Sequence, residues 1–156
     1  MAAKKSIDVK AEWLGEKQFR ALGPSGYSVI MDSGVQSGQE PKGNSPMELL
    51  VMALVGCMGI GVTNILKKMR QELDGLHIEA EAQRSEEIPG EITEVHLTFH
   101  ANGEVAPSRI WQAIKLESEQ YCPVAASLQA VIIPHVVLNG SPAPMPEGLQ
   151  TTAEPE

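Results

Sequence analysis

Aromatic side chains are scarce in this chain: two Phe, two Trp and two Tyr among 156 residues, or 4%. With 42% of the residues apolar, a core must be filled by Leu, Ile, Val, Met and Ala. Cysteine is just as scarce. Two residues are too few for the disulfide framework of a small secreted domain. Positive charge is in deficit: 12 Lys and Arg against 20 Asp and Glu leave a formal charge of −8. That balance argues against a nucleic-acid partner and against an anionic membrane surface. The opening MAAKKSIDVK has lysines but no apolar run after them, so no signal peptide is expected. These absences lead us to expect a cytoplasmic protein in which any disulfide is transient or catalytic.

What is present in excess is one apolar helix. Ser45 to Arg70 reads SPMELLVMALVGCMGIGVTNILKKMR. Ser45 suits an N-cap, Pro46 the first helical position, and Glu48 stands three residues after the cap, which together make a capping box. No residue from Leu49 to Val62 is polar, and Lys67, Lys68 and Arg70 gather in the last turns, where the helix dipole favours them. At ~1.5 Å per residue the helix would run ~37 Å. Apolar all round, it must be enclosed by protein or lipid. The uncharged run is shorter than the ~18 residues that suggest a membrane span. The expectation is a helix buried in a soluble protein, with no membrane involved. Gly56, Gly59 and Gly61 form no dinucleotide-binding fingerprint, because they lie inside a helix rather than after a strand. Each costs ~1 kcal/mol relative to alanine. Their expected use is steric, letting another backbone approach, and a twin helix from a second copy would supply the cover.

The remaining chain alternates. Ser6–Leu14 has Ile7, Val9, Ala11 and Trp13 apolar between Asp8, Lys10 and Glu12, the pattern of a half-buried strand. Lys17–Leu22 and Tyr27–Asp32 follow across turn signals, so an antiparallel meander is expected. Ser33–Asn44 is a long Gly/Ser-rich loop. After the helix, Asp74-Gly75 is expected to break the chain. Leu76–Arg84 and Ile92–Ala101 then form a hairpin around Pro89-Gly90. His96 and His100 fall on the polar side of the return strand with no third ligand candidate, which reads as a solvated face rather than a metal site. Pro107 opens a second helix with Ile110, Ala113, Ile114 and Tyr121 near one stripe. Cys122-Pro123 interrupts it, and Cys122 suits the cap of a third helix over Pro123–Ala130. Val131–Leu138 is a last strand, and Pro134 makes it an edge strand or a bulged one. The expected domain covers residues 1–140. Residues 141–156, Pro-rich and acidic, are expected to be a disordered tail. The fold class is α+β.

A cysteine in an apolar helix is by default a small hydrophobe, which is the ordinary reading of Cys57. Cys122 opens a helix, where the dipole and free N–H groups favour thiolate. Residue physics alone therefore nominates Cys122 as the more acidic thiol, unless a cation approaches Cys57.

The ordered set Ser45-Pro46-Met47-Glu48-Leu49-Leu50, Gly56-Cys57 and Tyr121-Cys122-Pro123, with the cysteines 65 residues apart, resembles the OsmC/Ohr family of thiol peroxidases. The resemblance covers about residues 6 to 139. The third strand and Leu66-Lys67-Lys68-Met69-Arg70 look most like a less-characterised branch, apart from both OsmC proper and Ohr. The resemblance implies an OsmC-like fold, with antiparallel sheets wrapped around a long buried central helix in an intertwined homodimer. It implies that Cys57 attacks an organic hydroperoxide, that Cys122 resolves the sulfenate, and that a dithiol or lipoyl-bearing protein reduces the disulfide. No metal, flavin or other cofactor is required.

It also implies a catalytic glutamate and an arginine. In the family the glutamate directly follows the proline; here Met47 holds that place and Glu48 comes one later. Glu48 lies nine residues before Cys57, about 13 Å along a helix axis, and the capping box accounts for it as well. The arginine would come from the early strands, where Arg20 is the only one and Lys17 is an equally placed cation. The alternative function, from a different class, is a non-catalytic dimeric protein that binds a hydrophobic small molecule at the same apolar interface.

Overall fold

The computed structural model describes residues 6–33 and 40–149. The chain divides into two compact units, residues 1–50 and 51–156.

In the first unit, β1 (Lys10–Gly15), β2 (Gln18–Leu22) and β3 (Ser28–Asp32) form the expected antiparallel meander. Trp13 sits opposite Phe19, and Phe19 opposite Met31. The alternation of β1 does not translate into a half-buried strand. Trp13 and Phe19 stay 64% and 43% exposed. Residues 34–39 of the Ser33–Asn44 loop lie outside the described residues. The returning part is pinned to β3: the buried Asp32 carboxylate accepts from the Lys42 N–H at 3.0 Å, and the Asp32 N–H donates to the Asn44 carbonyl at 3.1 Å. Helix α1 then begins.

α1 spans Pro46–Lys68, and its start is the capping box expected from Ser45 and Glu48. The Ser45 N–H donates to the Glu48 carboxylate at 2.6 Å, and the Glu48 N–H donates to Ser45 Oγ at 3.2 Å. The helix is not apolar-buried all round within one chain. Leu54, Met58, Val62 and Leu66, each one turn from the next, are fully buried. Leu50, Met52 and Ile60 are exposed. By length and composition α1 is able to cross a bilayer. A stripe at four-residue spacing packed on protein is instead the signature of a core helix.

In the second unit, β4 (Glu72–Arg84), β5 (Ile92–Glu104), β6 (Val131–Leu138) and β7 (Ser141–Pro142) make one sheet in that order. β5 and β6 are parallel, and the crossover such a pair needs carries the two remaining helices. Asp74-Gly75 does not break the chain; the ladder runs through it with a register shift between Leu73 and Gly75, a bulge rather than a turn. Pro134 lies on the part of β6 that β7 does not reach, because β7 pairs only with Val137 and Leu138, so its missing N–H disrupts no ladder on that side. The stretch read as a tail starts as β7 instead. The Ala143 N–H donates to the Val136 carbonyl, and the Trp111 indole N–H takes the Ala143 carbonyl at 2.9 Å. A buried indole needs an acceptor, and this segment supplies one. Residues 150–156 lie outside the described residues.

Val95, Leu97, Phe99 and Ala101, alternate residues on one face of β5, are buried, as are Ile110, Ala113 and Ile114 of the next helix. Burying each large aliphatic or aromatic side chain contributes roughly 1.5–3 kcal/mol. Phe99 is fully buried on the central strand, so Phe99→Ala should cost about 3–5 kcal/mol. Urea unfolding measures this, and a loss below about 1 kcal/mol would remove Phe99 from the core.

Candidate active site

Cys57 lies in the middle of α1 and is half-buried. The segment that meets it comes from the crossover. α2 (Pro107–Leu116) opens with Pro107, as expected, but its end differs from the expected simple break. Residues Glu117–Tyr121 form a π-helical turn, closed by the Cys122 N–H on the Glu117 carbonyl at 2.8 Å. α3 follows at Pro123–Ser127, shorter than expected, and Cys122 is its N-cap. The wider turn inserts a residue into the helical count. That takes Tyr121 off the apolar stripe, and it is 61% exposed.

The two sulfurs are 2.6 Å apart, with the Cys122 thiol donating to Cys57 Sγ. Cys122 is 3% exposed and its Sγ accepts from the Ala125 N–H at 3.3 Å. Burial pushes the Cys122 thiol up to about 11, and the proton it shares with Cys57 adds to this. The Ala125 N–H opposes the shift and loses. This corrects the expectation that Cys122 is the more acidic thiol. A helix of five residues offers little dipole, and desolvation of a thiolate outweighs one N–H. The arrangement makes Cys122 a proton-bearing thiol aimed at the other sulfur.

Sequence reasoning missed the third member of this group. Glu117 is 5% exposed, and its carboxylate lies with both sulfurs inside a cluster whose donor atoms are all within 4.8 Å of one another. It makes no hydrogen bond and no ion pair among the described residues. Burial pushes its carboxyl above the usual range. Room for it is made by Gly61, where a Cβ would fall on the Glu117 carboxylate. Of the other helix glycines, a Cβ at Gly59 would meet Ile78 Cδ1 at 3.2 Å, and one at Gly56 would meet nothing within 4 Å. The signal was present in the sequence. Ile110, Ile114 and Glu117 follow the helical stripe, so an acid stood where an apolar residue belonged. Two thiolates on one zinc keep ~3.8 Å between sulfurs, by ~2.3 Å bonds at tetrahedral angles. At 2.6 Å these two are placed for each other.

The remaining candidates sit elsewhere in the chain. Glu48 is engaged in the α1 cap, and the Ser45 N–H holds its carboxyl below the usual range. Arg20, on β2, is exposed and stands 4.0 Å from Glu12. Lys17 is in the turn before β2 and is also exposed. His96 and His100 lie on the outer side of β5, as expected. The structure adds His135 of β6, whose Nε2 is 2.9 Å from His96 Nδ1, and His77 of β4, whose ring lies 5.8 Å from that of His100. Glu94 takes His96 Nε2 at 2.6 Å and Glu79 takes His100 Nε2 at 3.3 Å. The histidines thus pair with one another and with carboxylates on an open sheet face. A groove of about 470 Å³ beside Trp111, Val131 and Met145 includes neither cysteine.

The family model for OsmC-like protein matches residues 38–135, which include the helix and both cysteines. The chain belongs to the OsmC/Ohr family. Protein YhfA of Escherichia coli strain K12 is 34% identical over 131 residues, covering 83% of this chain and 95% of that one. A hypothetical protein from Aquifex aeolicus VF5 has a similar crystal structure, with a TM-score of 0.73 at 30% identity, covering 87% of this chain and 99% of that one. The organic hydroperoxide resistance protein OhrB of Bacillus subtilis shares the fold, with a TM-score of 0.60 at 17% identity, covering 86% of this chain and 98% of that one. The OsmC-like chain is thus nearer in sequence to YhfA than to OhrB.

The raised Cys122 value has a directional consequence. An acid whose pKa is raised keeps its proton through the range where a free thiol, near 8.5, has lost it. Iodoacetamide at pH 9 should therefore spare Cys122, which reacts only as the pH nears about 11. Peptide mass mapping reads the site, and full labelling of Cys122 at pH 9 in the folded protein would contradict the raised value.

Proposed function

We propose that this OsmC/Ohr family member is a thiol-dependent peroxidase that reduces organic hydroperoxides. The observation that carries the reading is the 2.6 Å contact between a half-buried sulfur and a buried, proton-bearing one. Neither the metal-ligand spacing nor a structural role of two isolated small hydrophobes accounts for that contact as well.

In this reading Cys57 thiolate attacks the terminal oxygen of the hydroperoxide. An S–O bond forms, the O–O bond breaks, and the alkoxide leaves to become an alcohol. Cys57 is then a sulfenic acid. Cys122 attacks it, an S–S bond forms, and water leaves. An external dithiol, free or on a lipoyl-bearing protein, restores both thiols by exchange and is itself oxidised to a disulfide. Each turnover thus moves two electrons from the dithiol to the peroxide.

The functional unit in this reading is a homodimer. The exposed Met52 and Ile60 of α1, and the exposed Trp13 and Phe19 of the first sheet, support it, since apolar surface of this kind is what a second copy covers. A cation from the second copy, Arg20 or Lys17, would then favour Cys57 thiolate, and an arginine would do so with a planar fork. The apolar run Leu49–Val62 that carries Cys57 suits a hydrocarbon peroxide.

A second reading, a non-catalytic protein that binds a hydrophobic small molecule, is favoured by the mostly apolar groove lined by Trp111, Val131 and Met145. Turnover of cumene hydroperoxide with dihydrolipoamide separates the two. The peroxidase reading expects Cys57→Ser to abolish consumption and Cys122→Ser to accumulate a sulfenate that dimedone traps. Arg20→Ala and Lys17→Ala identify the cation by the larger loss of rate. Background rates in the wild type and both cysteine variants would leave the binding protein as the surviving reading.

A further inference from the structure

Two carboxylates are buried among the described residues, Asp32 and Glu117. Asp32 has a reason to be there, because it accepts the Lys42 N–H. Glu117 has no such partner among the described residues. It is 5% exposed, forms no hydrogen bond or ion pair among the described residues, and shares a 4.8 Å cluster with the sulfurs of Cys57 and Cys122. Two separate features of the chain place it. Gly61 leaves open the space its carboxylate occupies, at a mid-helix position where glycine is otherwise unfavourable. The π-helical turn that begins at Glu117 holds it on the inner face and delivers Cys122 to the same point. The titratable groups that face it are Cys57 from α1 and Cys122 from the cap of α3. No Lys, Arg or His of the described residues pairs with it.

We propose that Glu117 is the proton carrier of the thiol pair, giving a proton to the leaving alkoxide and passing the Cys122 proton to the departing hydroxide. This rests on the peroxidase reading above. The balance closes. At the start Cys57 is a thiolate, Glu117 a neutral acid and Cys122 a thiol. Cys57 takes the terminal hydroxyl of the peroxide as sulfenic acid, and the alkoxide takes the proton of Glu117 to become the alcohol. Glu117, now a carboxylate, accepts the proton of Cys122 as that sulfur attacks Cys57. The S–O bond breaks, and the hydroxide leaves as water with the same proton. The negative charge that began on Cys57 ends on Glu117, and a solvent proton restores the acid. Cys122 needs such a base, because its thiol is pushed up to about 11 and does not ionise unaided at neutral pH. Burial, which raises the Glu117 carboxyl, keeps the neutral acid available to higher pH than an exposed glutamate would.

Glu117→Gln keeps the size and hydrogen-bonding capacity of the side chain and removes proton exchange. Steady-state cumene hydroperoxide reduction across pH 5 to 10 compares it with the wild type and with Cys57→Ser. The wild-type rate should fall at high pH as Glu117 ionises. The variant should lose about 10²-fold in rate together with that descending limb, a change a packing role would not produce. Dimedone should trap more sulfenate in Glu117→Gln than in the wild type, because the second step slows as well. An active wild type with an unaltered pH profile and sulfenate yield in Glu117→Gln would overturn the proton role and leave the peroxidase reading standing. A wild type no faster than Cys57→Ser would overturn the peroxidase reading and the proton role with it. Infrared difference spectra of wild type against Glu117→Gln need no turnover. A protonated-carboxyl band at pH 7 assigned to Glu117 is expected, and an ionised carboxylate there would overturn the neutral-acid starting state.

Discussion

Two sulfurs 2.6 Å apart, one from the centre of a 23-residue helix and one from the cap of a five-residue helix, impose the demands that the rest of this fold meets. To bring them together, α1 must lie against the crossover between the parallel strands β5 and β6. Its buried stripe of Leu54, Met58, Val62 and Leu66 recurs every four residues along the helix. Cys57 sits beside that stripe, at its edge, and so remains half-buried while Met58 next to it is sealed. The position gives a partly open sulfur backed by a buried one.

The local electrostatics run against intuition. A cysteine opening a helix is ordinarily the acidic one, yet here burial dominates and Cys122 holds its proton. The same loss of solvation raises Glu117. The site therefore contains a thiol that keeps its proton at neutral pH, a carboxyl raised above its usual range and one sulfur that receives a hydrogen bond. Acid and base assignments follow from that inequality rather than from the identity of the side chains.

Much of the fold was legible from alternation and punctuation. The β1–β3 meander, the β4–β5 hairpin and the Ser45/Glu48 cap rest on short-range rules of pleat, turn and capping, and these residues obey them. What escaped depended on tertiary context. Asp74-Gly75 reads as a break, but a bulge uses the same residues. The stretch after Gly140 reads as a tail, but Trp111 needed an acceptor and Ala143 provided it. The π-helical turn leaves no periodic trace because it is itself a fault in the period. Of the site, both cysteines were named, but the burial that raises Cys122 was not legible in the sequence. Glu117 was passed over although it broke an apolar stripe. The cap explains Glu48 fully at the level of one chain, and Arg20 faces Glu12 there. The exposed apolar side of α1 is the part of the all-round apolar pattern that one chain does not satisfy.

The most direct test of the sulfur pair is its oxidation product. Fully reduced protein should receive one equivalent of cumene hydroperoxide without added reductant, followed by non-reducing peptide mapping. The account predicts that Cys57 and Cys122 of the same chain are recovered as one disulfide-linked peptide pair, with no free thiol at either site. Recovery of Cys57 as sulfinic or sulfonic acid beside an unmodified Cys122 thiol, or of both as untouched thiols, would contradict it.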